Sequence, residues 1–134
     1  MWMYWDFDMT TDAFERGLKK RRQVMGNAFV DRALSTADPL TMPMQDFVTR
    51  VAWDEIWNQT CLSDRERSLI NLGMLAALNR ATEFKGHVRG ALNNSVTPEE
   101  IRDVCLQIAA YCGCPAGLEA MRNAMDVISE VAHD

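Results

Sequence analysis

The sequence predicts an all-α protein, and three observations lead to this class. Apolar residues recur at helical spacing along most of the chain, and no segment alternates apolar and polar residues as a strand would. Glycine (7 residues) and proline (4 residues) are scarce among the 134 residues, so few positions interrupt a helix. Hydrophobic residues form 48% and charged residues 25% of the chain, which is typical of a globular protein with a buried core.

Start and stop signals divide this pattern into helices. The predicted helices cover residues 11–25, 29–37, 44–57, 64–78, 82–92, 98–111 and 116–131. Ser63-Asp64-Arg65-Glu66 has the pattern of a capping box, and Thr97-Pro98-Glu99-Glu100 gives an N-cap followed by proline and two acids. The helix over 64–78 is apolar nearly all round, which predicts a central helix packed on several sides.

Charge and hydropathy exclude several classes of protein. The net charge of −5 argues against a dedicated nucleic-acid binder, and the basic run Lys19–Arg22 is most simply a solvated or subunit-facing helix end. No apolar run approaches the roughly 20 residues of a membrane span. Met1–Asp8 has no basic region and no cleavage site, so we expect no signal peptide and a cytoplasmic location. We predict an aromatic N-terminal extension over 1–10 and a single domain over 11–134.

The cysteines have no spacing typical of a disulfide framework. They are Cys61, Cys105, Cys112 and Cys114. Cys112 and Cys114 form a C-x-C pattern, and on one helix such side chains point to different sides, so a bridge between them would be strained. Only two histidines are available to a zinc site. We therefore predict buried free thiols and no metal site.

Two groups of polar and aromatic residues accompany the apolar stripes. Trp53 and Trp57 share a helix face with Glu55 to one side, so they are either core tryptophans beside a solvated acid or the wall of a pocket. Arg67 and Asn71 lie on the central helix. An arginine there needs a partner, which is either a structural carboxylate or an anionic ligand.

The tightest group of candidates lies on the next helix. Arg80, Glu83 and His87 are spaced so that they share one face, whereas Arg89 points elsewhere. A carboxylate beside a histidine can raise the pKa of the ring and orient it, as a general acid near neutral pH requires. The alternative is a surface Glu–His pair without a catalytic role.

Five stretches of the chain carry a resemblance to a known family. They are FERGLKKRRQVMGNAFVDRAL (14–34), MQDFVTRVAWDEIW (44–57), RSLINLGMLAALNR (67–80), HVRGALNNSVTPEEI (87–101) and YCGCPAG (111–117). In these stretches, and in their order, the sequence resembles the carboxymuconolactone decarboxylase family. The resemblance implies an all-α, alkylhydroperoxidase D-like fold assembled as a homo-oligomer, a trimer or hexamer, with sites between subunits.

The wider superfamily contains two chemistries, and the residues allow a choice between them. The peroxidase branch carries C-x-x-C-x-x-x-H, and aligning its histidine on His87 places its two cysteines at Arg80 and Glu83. Neither residue is a thiol, so a thiol peroxidase is disfavoured. The resemblance instead implies a carboxy-lyase that converts 4-carboxymuconolactone to the enol-lactone of 3-oxoadipate in protocatechuate catabolism.

That reaction needs no cofactor, because the electrons left by CO₂ delocalise into the carbonyl of the lactone. The protein has to hold the retained carboxylate, stabilise the dienolate and supply a proton. Matching positions imply that His87 is the acid or the donor to the lactone oxygen, and that Glu55 and Glu83 orient it or desolvate the leaving carboxylate. They imply that Arg67 and Arg89 bind substrate carboxylates. The remaining implied contacts are the pocket wall of Trp53 and Trp57 and the further substrate contacts of Asn71 and Arg80.

Asp54 departs from the family pattern, which usually has glycine there, and it adds negative charge beside a pocket for a dianion. Two alternatives therefore stay open. One is a decarboxylase or lyase of the same fold that acts on a larger aromatic or polyketide acid. The other is a catalytically silent oligomeric binding protein.

Overall fold

The computed structural model describes residues 11–133, and over that range it contains helices and no strand. The α-helices are α1 (Thr11–Met25), α2 (Asn27–Ser35), α3 (Met42–Val48), α4 (Asp64–Ala77), α5 (Ala81–Asn93), α6 (Pro98–Cys112) and α7 (Cys114–Ala132). A π-helix, Thr49–Ile56, continues directly from α3. The all-α prediction is confirmed, and the predicted extension over 1–10 lies outside the described residues. None of the described helices is long and apolar enough to cross a membrane.

The chain divides into two compact units, a first unit that ends at Thr60 and a second unit that begins at Cys61. In the first unit, α1 packs along the π-helix. Its buried cluster consists of Val24, Met25, Val30, Trp53 and Trp57. In the second unit, α4 and α5 form one helical hairpin and α6 and α7 another. The prediction of a single domain over 11–134 stays a prediction.

Gly17 sets the closest approach in the first unit. A Cβ atom at this position would lie 2.0 Å from the carbonyl oxygen of Thr49 and 3.1 Å from the amide nitrogen of Asp54. Only glycine therefore allows α1 to contact the backbone of the π-helix. The sequence predicts one regular helix over 44–57, whereas the structure shows a helix from Met42 whose second half is widened, with the amide of Trp57 bonded to the carbonyl of Ala52 at 2.9 Å.

The second unit follows its local signals more closely. Its buried cluster includes Leu72, Phe84, Val88, Ile101 and Ala124. The capping boxes are both present, because Ser63 accepts from the Glu66 amide and Thr97 from the Glu100 amide while each glutamate bonds back.

Single residues that turn the chain account for differences from the predicted ends in four of the helices. Gly26 (φ 89°) lets α2 begin at Asn27 rather than 29. Gly113 (φ 104°) alone separates α6 from α7, so α6 extends to Cys112 and α7 begins at Cys114 rather than 116. Asn79 (φ 59°) follows the end of α4, which stops at Ala77.

The central position of α4 is only partly confirmed. This helix packs against α5, α6 and α7, as predicted. On its apolar surface, however, Ile70 and Met74 remain 46% and 50% exposed. An apolar helix surface is thus no proof that all of it is buried within one chain.

Candidate active site

The α4–α5 hairpin positions the candidate histidine. The amide nitrogen Nδ2 of Asn71 on α4 lies 3.5 Å from Nδ1 of His87 on α5. At one end of the hairpin, Nδ2 of Asn94 donates to Oγ of the fully buried Ser68 at 2.9 Å. At the other end, the backbone amide of Arg80 donates to the carbonyl of Leu75 at 2.9 Å. The first bond joins the two helices and the second lies in the turn between them, with His87 and Asn71 in the stretch between these two ends.

His87 is neutral near pH 7. Burial lowers its pKa from 6.5 to about 4, and the negative charge of Glu83 opposes this shift without cancelling it. Glu83 thus acts in the expected direction, but the expected net rise in the pKa of the ring is wrong, because the loss of hydration is the larger effect. A neutral imidazole still has one N–H group, which can donate a hydrogen bond to a developing negative charge.

Two further candidates share the faces of the hairpin on which Asn71 and His87 lie. Arg67 precedes Asn71 by four residues on α4, and Glu83 precedes His87 by four residues on α5. Arg67 is half-buried, whereas Glu83 is exposed. The hairpin thus carries a cation, an amide, a neutral imidazole and a carboxylate, although the catalytic and binding roles of these groups stay predictions.

The other two arginines of the predicted site lie in different surroundings. Nη2 of Arg89 is 2.6 Å from Oε2 of Glu130, so this guanidinium binds a carboxylate of its own chain and joins α5 to α7. Arg80 is exposed at the N-terminal end of α5, where it borders a small cavity together with Asn79 and Glu119. Neither arrangement indicates a substrate, and both binding roles stay predictions.

The tryptophans belong to the core of the first unit. Trp53 and Trp57 are each 6% exposed, and their rings stack with centroids 4.8 Å apart. Glu55, between them in sequence, is exposed. This arrangement agrees with the alternative of two core tryptophans beside a solvated acid, and the role of pocket wall stays a prediction.

The charge of Asp54 is balanced within the first unit. Nε and Nη2 of Arg16 donate to its two carboxylate oxygens at 3.0 and 3.1 Å, and the side-chain amide of Asn58 adds a bond at 3.1 Å. The departure from glycine at this position therefore brings its own counter-ion. The negative charge that the sequence suggested for a substrate pocket is largely compensated.

Most of the cysteines differ from the prediction. All four are free, but only Cys105 is buried, and Cys61, Cys112 and Cys114 are exposed. The prediction of buried thiols is wrong for these three because each lies outside the apolar face of a helix, near a helix end or in a connection. Among the described residues, no group of three or more His, Cys, Asp or Glu side chains is placed to hold a metal ion.

Sequence reasoning missed Arg21, which lies within the basic run on α1. Its side chain is only 6% exposed and donates to Oε1 of Gln45 at 2.9 Å and to Oγ1 of Thr49 at 3.4 Å. Burial lowers the pKa of this guanidinium. The one available signal was its spacing from Gly17 and Val24, which puts it on the buried face of α1.

Comparison with known proteins agrees with this architecture. The sequence profile of the Carboxymuconolactone decarboxylase family matches residues 43–126. This chain belongs to the carboxymuconolactone decarboxylase family. It is 39% identical over 118 residues to a nitrosuccinic acid decarboxylase of Metarhizium robertsii, covering 88% of this chain and 82% of the relative. It is 34% identical over 118 residues to a 4-carboxymuconolactone decarboxylase of Acinetobacter baylyi, covering 88% of each chain. Both relatives are decarboxylases, so the prediction of a carboxy-lyase is confirmed at the level of reaction class.

Proposed function

We propose that this protein is a cofactor-independent decarboxylase of a small dicarboxylic acid, with 4-carboxymuconolactone as the first candidate substrate. Family membership and the identity to a 4-carboxymuconolactone decarboxylase support the reaction class. The observation that carries the proposal is the neutral His87 held beside Asn71 between two hydrogen-bonded ends of a helical hairpin.

The chemistry of such substrates sets what the site has to do. Loss of CO₂ leaves an electron pair on carbon, which moves through the alkene of 4-carboxymuconolactone into the carbonyl oxygen of the lactone. The acceptor lies in the substrate itself, so the enzyme has to bind the second carboxylate and stabilise charge on that oxygen until carbon takes up a proton. A preorganised hydrogen-bond donor is the main source of such stabilisation.

The residues of the α4–α5 hairpin supply these two functions in our proposal. Neutral His87 donates its N–H to the oxygen on which charge develops, and Arg67 binds the carboxylate that is retained. This role requires no positive charge on the ring, which agrees with a pKa of about 4. It replaces the role of cationic general acid, and the proton that carbon takes up comes from water.

Nitrosuccinic acid is a second candidate substrate. The relative named for this reaction is 39% identical to this chain. In nitrosuccinic acid, a carboxylate lies on the carbon that bears the nitro group, and its loss delocalises charge onto the nitro oxygens. A second carboxylate is again retained. In our proposal the N–H group of His87 and the guanidinium of Arg67 therefore serve both substrates. The substrates differ in the group that takes up the charge, which is a lactone carbonyl in one and a nitro group in the other.

The test is CO₂ release from each of the two acids without added metal or cofactor. We expect release from one of them, a loss of at least about 100-fold in kcat in His87→Ala, and no change in the control His133→Ala. His133 is the second histidine of the chain and is exposed after α7.

Two outcomes would contradict the proposal in different ways. Release that persists in His87→Ala keeps the reaction and excludes the donor role of this residue. No release from either acid by the folded wild-type protein excludes both substrates and favours a larger aromatic or polyketide acid.

A further inference from the structure

We propose that Asn71 is a positioning residue whose amide N–H group fixes His87 as the tautomer protonated on Nε2. The sequence suggested a different role for Asn71, that of a direct substrate contact. The catalytic consequence of the new role rests on the proposed function, whereas the tautomer itself does not.

The inference begins with the two atoms that face each other. Nδ2 of Asn71 lies 3.5 Å from Nδ1 of His87, and a side-chain amide nitrogen can donate a hydrogen bond but cannot accept one. Nδ1 must therefore be the acceptor, which requires a lone pair and excludes a proton on that nitrogen. In a neutral ring the proton then lies on Nε2. The contact is long, and substrate binding can shorten such contacts in an active site.

The hairpin keeps this pair in place. Ser68 precedes Asn71 on α4 and is bonded across the hairpin to Asn94 at the end of α5. Leu75 follows Asn71 and accepts from the amide of Arg80 in the short turn that joins the helices. A shift of one helix along the other would break the first bond and distort this turn. The orientation of the imidazole is thus a property of the hairpin and exists before substrate arrives.

Charged groups of three helices surround this part of α5. Glu83 lies on α5 itself, Arg67 lies on the facing helix α4, and Glu119 of α7 borders the same small cavity as Arg80. Two other acids of α7 are bound to cations of α5, Asp126 to Lys85 at 3.1 Å and Glu130 to Arg89 at 2.6 Å. Because burial keeps the ring neutral near pH 7, the position of its single proton is a defined property that an experiment can read.

A fixed tautomer has a direct catalytic meaning. Only the protonated nitrogen can donate to an oxyanion, and the wrong tautomer would present a lone pair to developing negative charge. If the two tautomers were free to exchange, part of the protein would be inactive at any moment. Asn71 removes that loss without adding charge to the site.

Nitrogen NMR of the full chain tests the tautomer without any substrate. The sequence contains only two histidines, so His133→Gln assigns the remaining ring signals to His87. We expect long-range ¹H–¹⁵N correlations at neutral pH to show a proton on Nε2 and none on Nδ1. A proton on Nδ1 in the wild-type protein would overturn the proposal.

The substitution Asn71→Asp converts the donor into an acceptor of nearly the same shape. A carboxylate at this position should draw a proton to Nδ1 and raise the pKa of His87 by about 1–3 units. The matched control is Asn93→Asp at the end of α5, which adds the same charge on the same hairpin and should leave the tautomer unchanged. Asn71→Leu, which removes the amide without adding charge, should give a mixture of both tautomers and serves if the aspartate variant does not fold.

Activity separates this proposal from the proposed function. With the substrate that the wild-type protein turns over, Asn71→Asp should lower kcat by at least about 10-fold while KM changes little, whereas loss of a direct substrate contact would raise KM. An increase in KM with kcat unchanged would overturn the positioning role. If the wild-type protein turns over neither acid, the proposed function fails, and the NMR result still decides the tautomer.

Discussion

The two units of this chain are both helical, but they obtain their helices in different ways. In the second unit, two of the four helices begin at capping boxes, at Ser63 and at Thr97, and all four are α-helices. In the first unit, a helix is widened into π geometry at the point where the backbone of α1 contacts it through Gly17. Local signals therefore account for the second unit, whereas tertiary contact decides the geometry of the first.

The two units also differ in what they bury. The core of the second unit is mainly aliphatic, with Phe84 as its one fully buried aromatic side chain. The core of the first unit contains two stacked tryptophans. It also buries the guanidinium of Arg21 beside Thr49, so hydrogen bonds as well as apolar contacts define its packing.

The largest effect should come from Gly17→Ala. The new Cβ would meet backbone atoms of Thr49 at 2.0 and 2.9 Å, and no side chain can move aside. We expect a loss of at least about 3 kcal/mol in the free energy of unfolding, measured by urea denaturation.

The comparison variant is Gly117→Ala in the second unit, where the nearest atom is Cβ of Ala109 at 2.4 Å. Here the nearest atom belongs to a side chain, with the backbone Cα and N of Ala109 behind it at 2.8 and 2.9 Å, so adding Ala109→Gly should recover only part of the lost stability. A corresponding second-site rescue does not exist for Gly17→Ala. Equal stability of Gly17→Ala and wild type would show that tertiary contact does not shape the π-helix.

The next effect concerns the stacked tryptophans. Trp53→Leu removes one ring of the stacked pair and leaves a cavity beside Trp57 in the core of the first unit. We expect the free energy of unfolding to fall by about 3 kcal/mol, whereas KM should stay within about twofold of wild type. A large rise in KM with stability unchanged would instead assign Trp53 to a pocket wall.

A smaller effect should appear as the pH dependence of stability in the second unit. The pKa of His87 is lowered from 6.5 to about 4 in the folded protein, so the unfolded chain binds this proton first as the pH falls. The contribution of the neutral ring is complete above about pH 6.5 and is lost between there and about pH 4.

Urea denaturation of wild type and His87→Gln at several pH values isolates that contribution. We expect wild type to lose about 2 kcal/mol more than the variant across the window, after allowance for the part of the ring that water still reaches. Carboxylates with a lowered pKa, such as Glu66, change their contribution to stability below about pH 4.5, and because both proteins contain them this contribution cancels. Parallel curves would show that the ring is not desolvated.

The smallest effect should come from Asp54→Asn in the first unit. This change removes the charge from a pair with Arg16, whose side chain is 54% exposed. Exposed ion pairs contribute little, so we expect the free energy of unfolding to fall by less than about 1 kcal/mol. A change in substrate preference on this substitution would instead show that the charge of Asp54 reaches the substrate.

The sequence predicts the fold class and most helices, but not the geometry that depends on packing. The i, i+4 spacing of Trp53 and Trp57 satisfies an α-helix and a π-helix alike, so the widened helix had no distinct signal. A charge run does not tell which of its residues faces the core, so the sequence predicts a solvated or subunit-facing helix end for the whole run, Arg21 included. The position of Gly17 on α1 can be read from the sequence, but the carbonyl of Thr49 that it contacts cannot.

The candidate site shows the same limit. Helical spacing correctly identified His87 and Glu83 as neighbours on one face, but not how deeply the ring is buried. Burial is the larger of the two effects on the pKa of His87, and it depends on side chains that α4 brings from elsewhere in the sequence. The facing position of Asn71 likewise follows from the register of the hairpin, which no local pattern specifies.

The single-residue junction at Gly113 has an electrical consequence. The partly negative C-terminal end of α6 and the partly positive N-terminal end of α7 meet across one residue, so their dipole charges offset each other. The sequence agrees, because α6 has no basic residue in its last turn and α7 no acidic residue in its first. This corner needs no compensating side chain, and positions there are free to carry uncharged residues such as the two exposed thiols of Cys112 and Cys114.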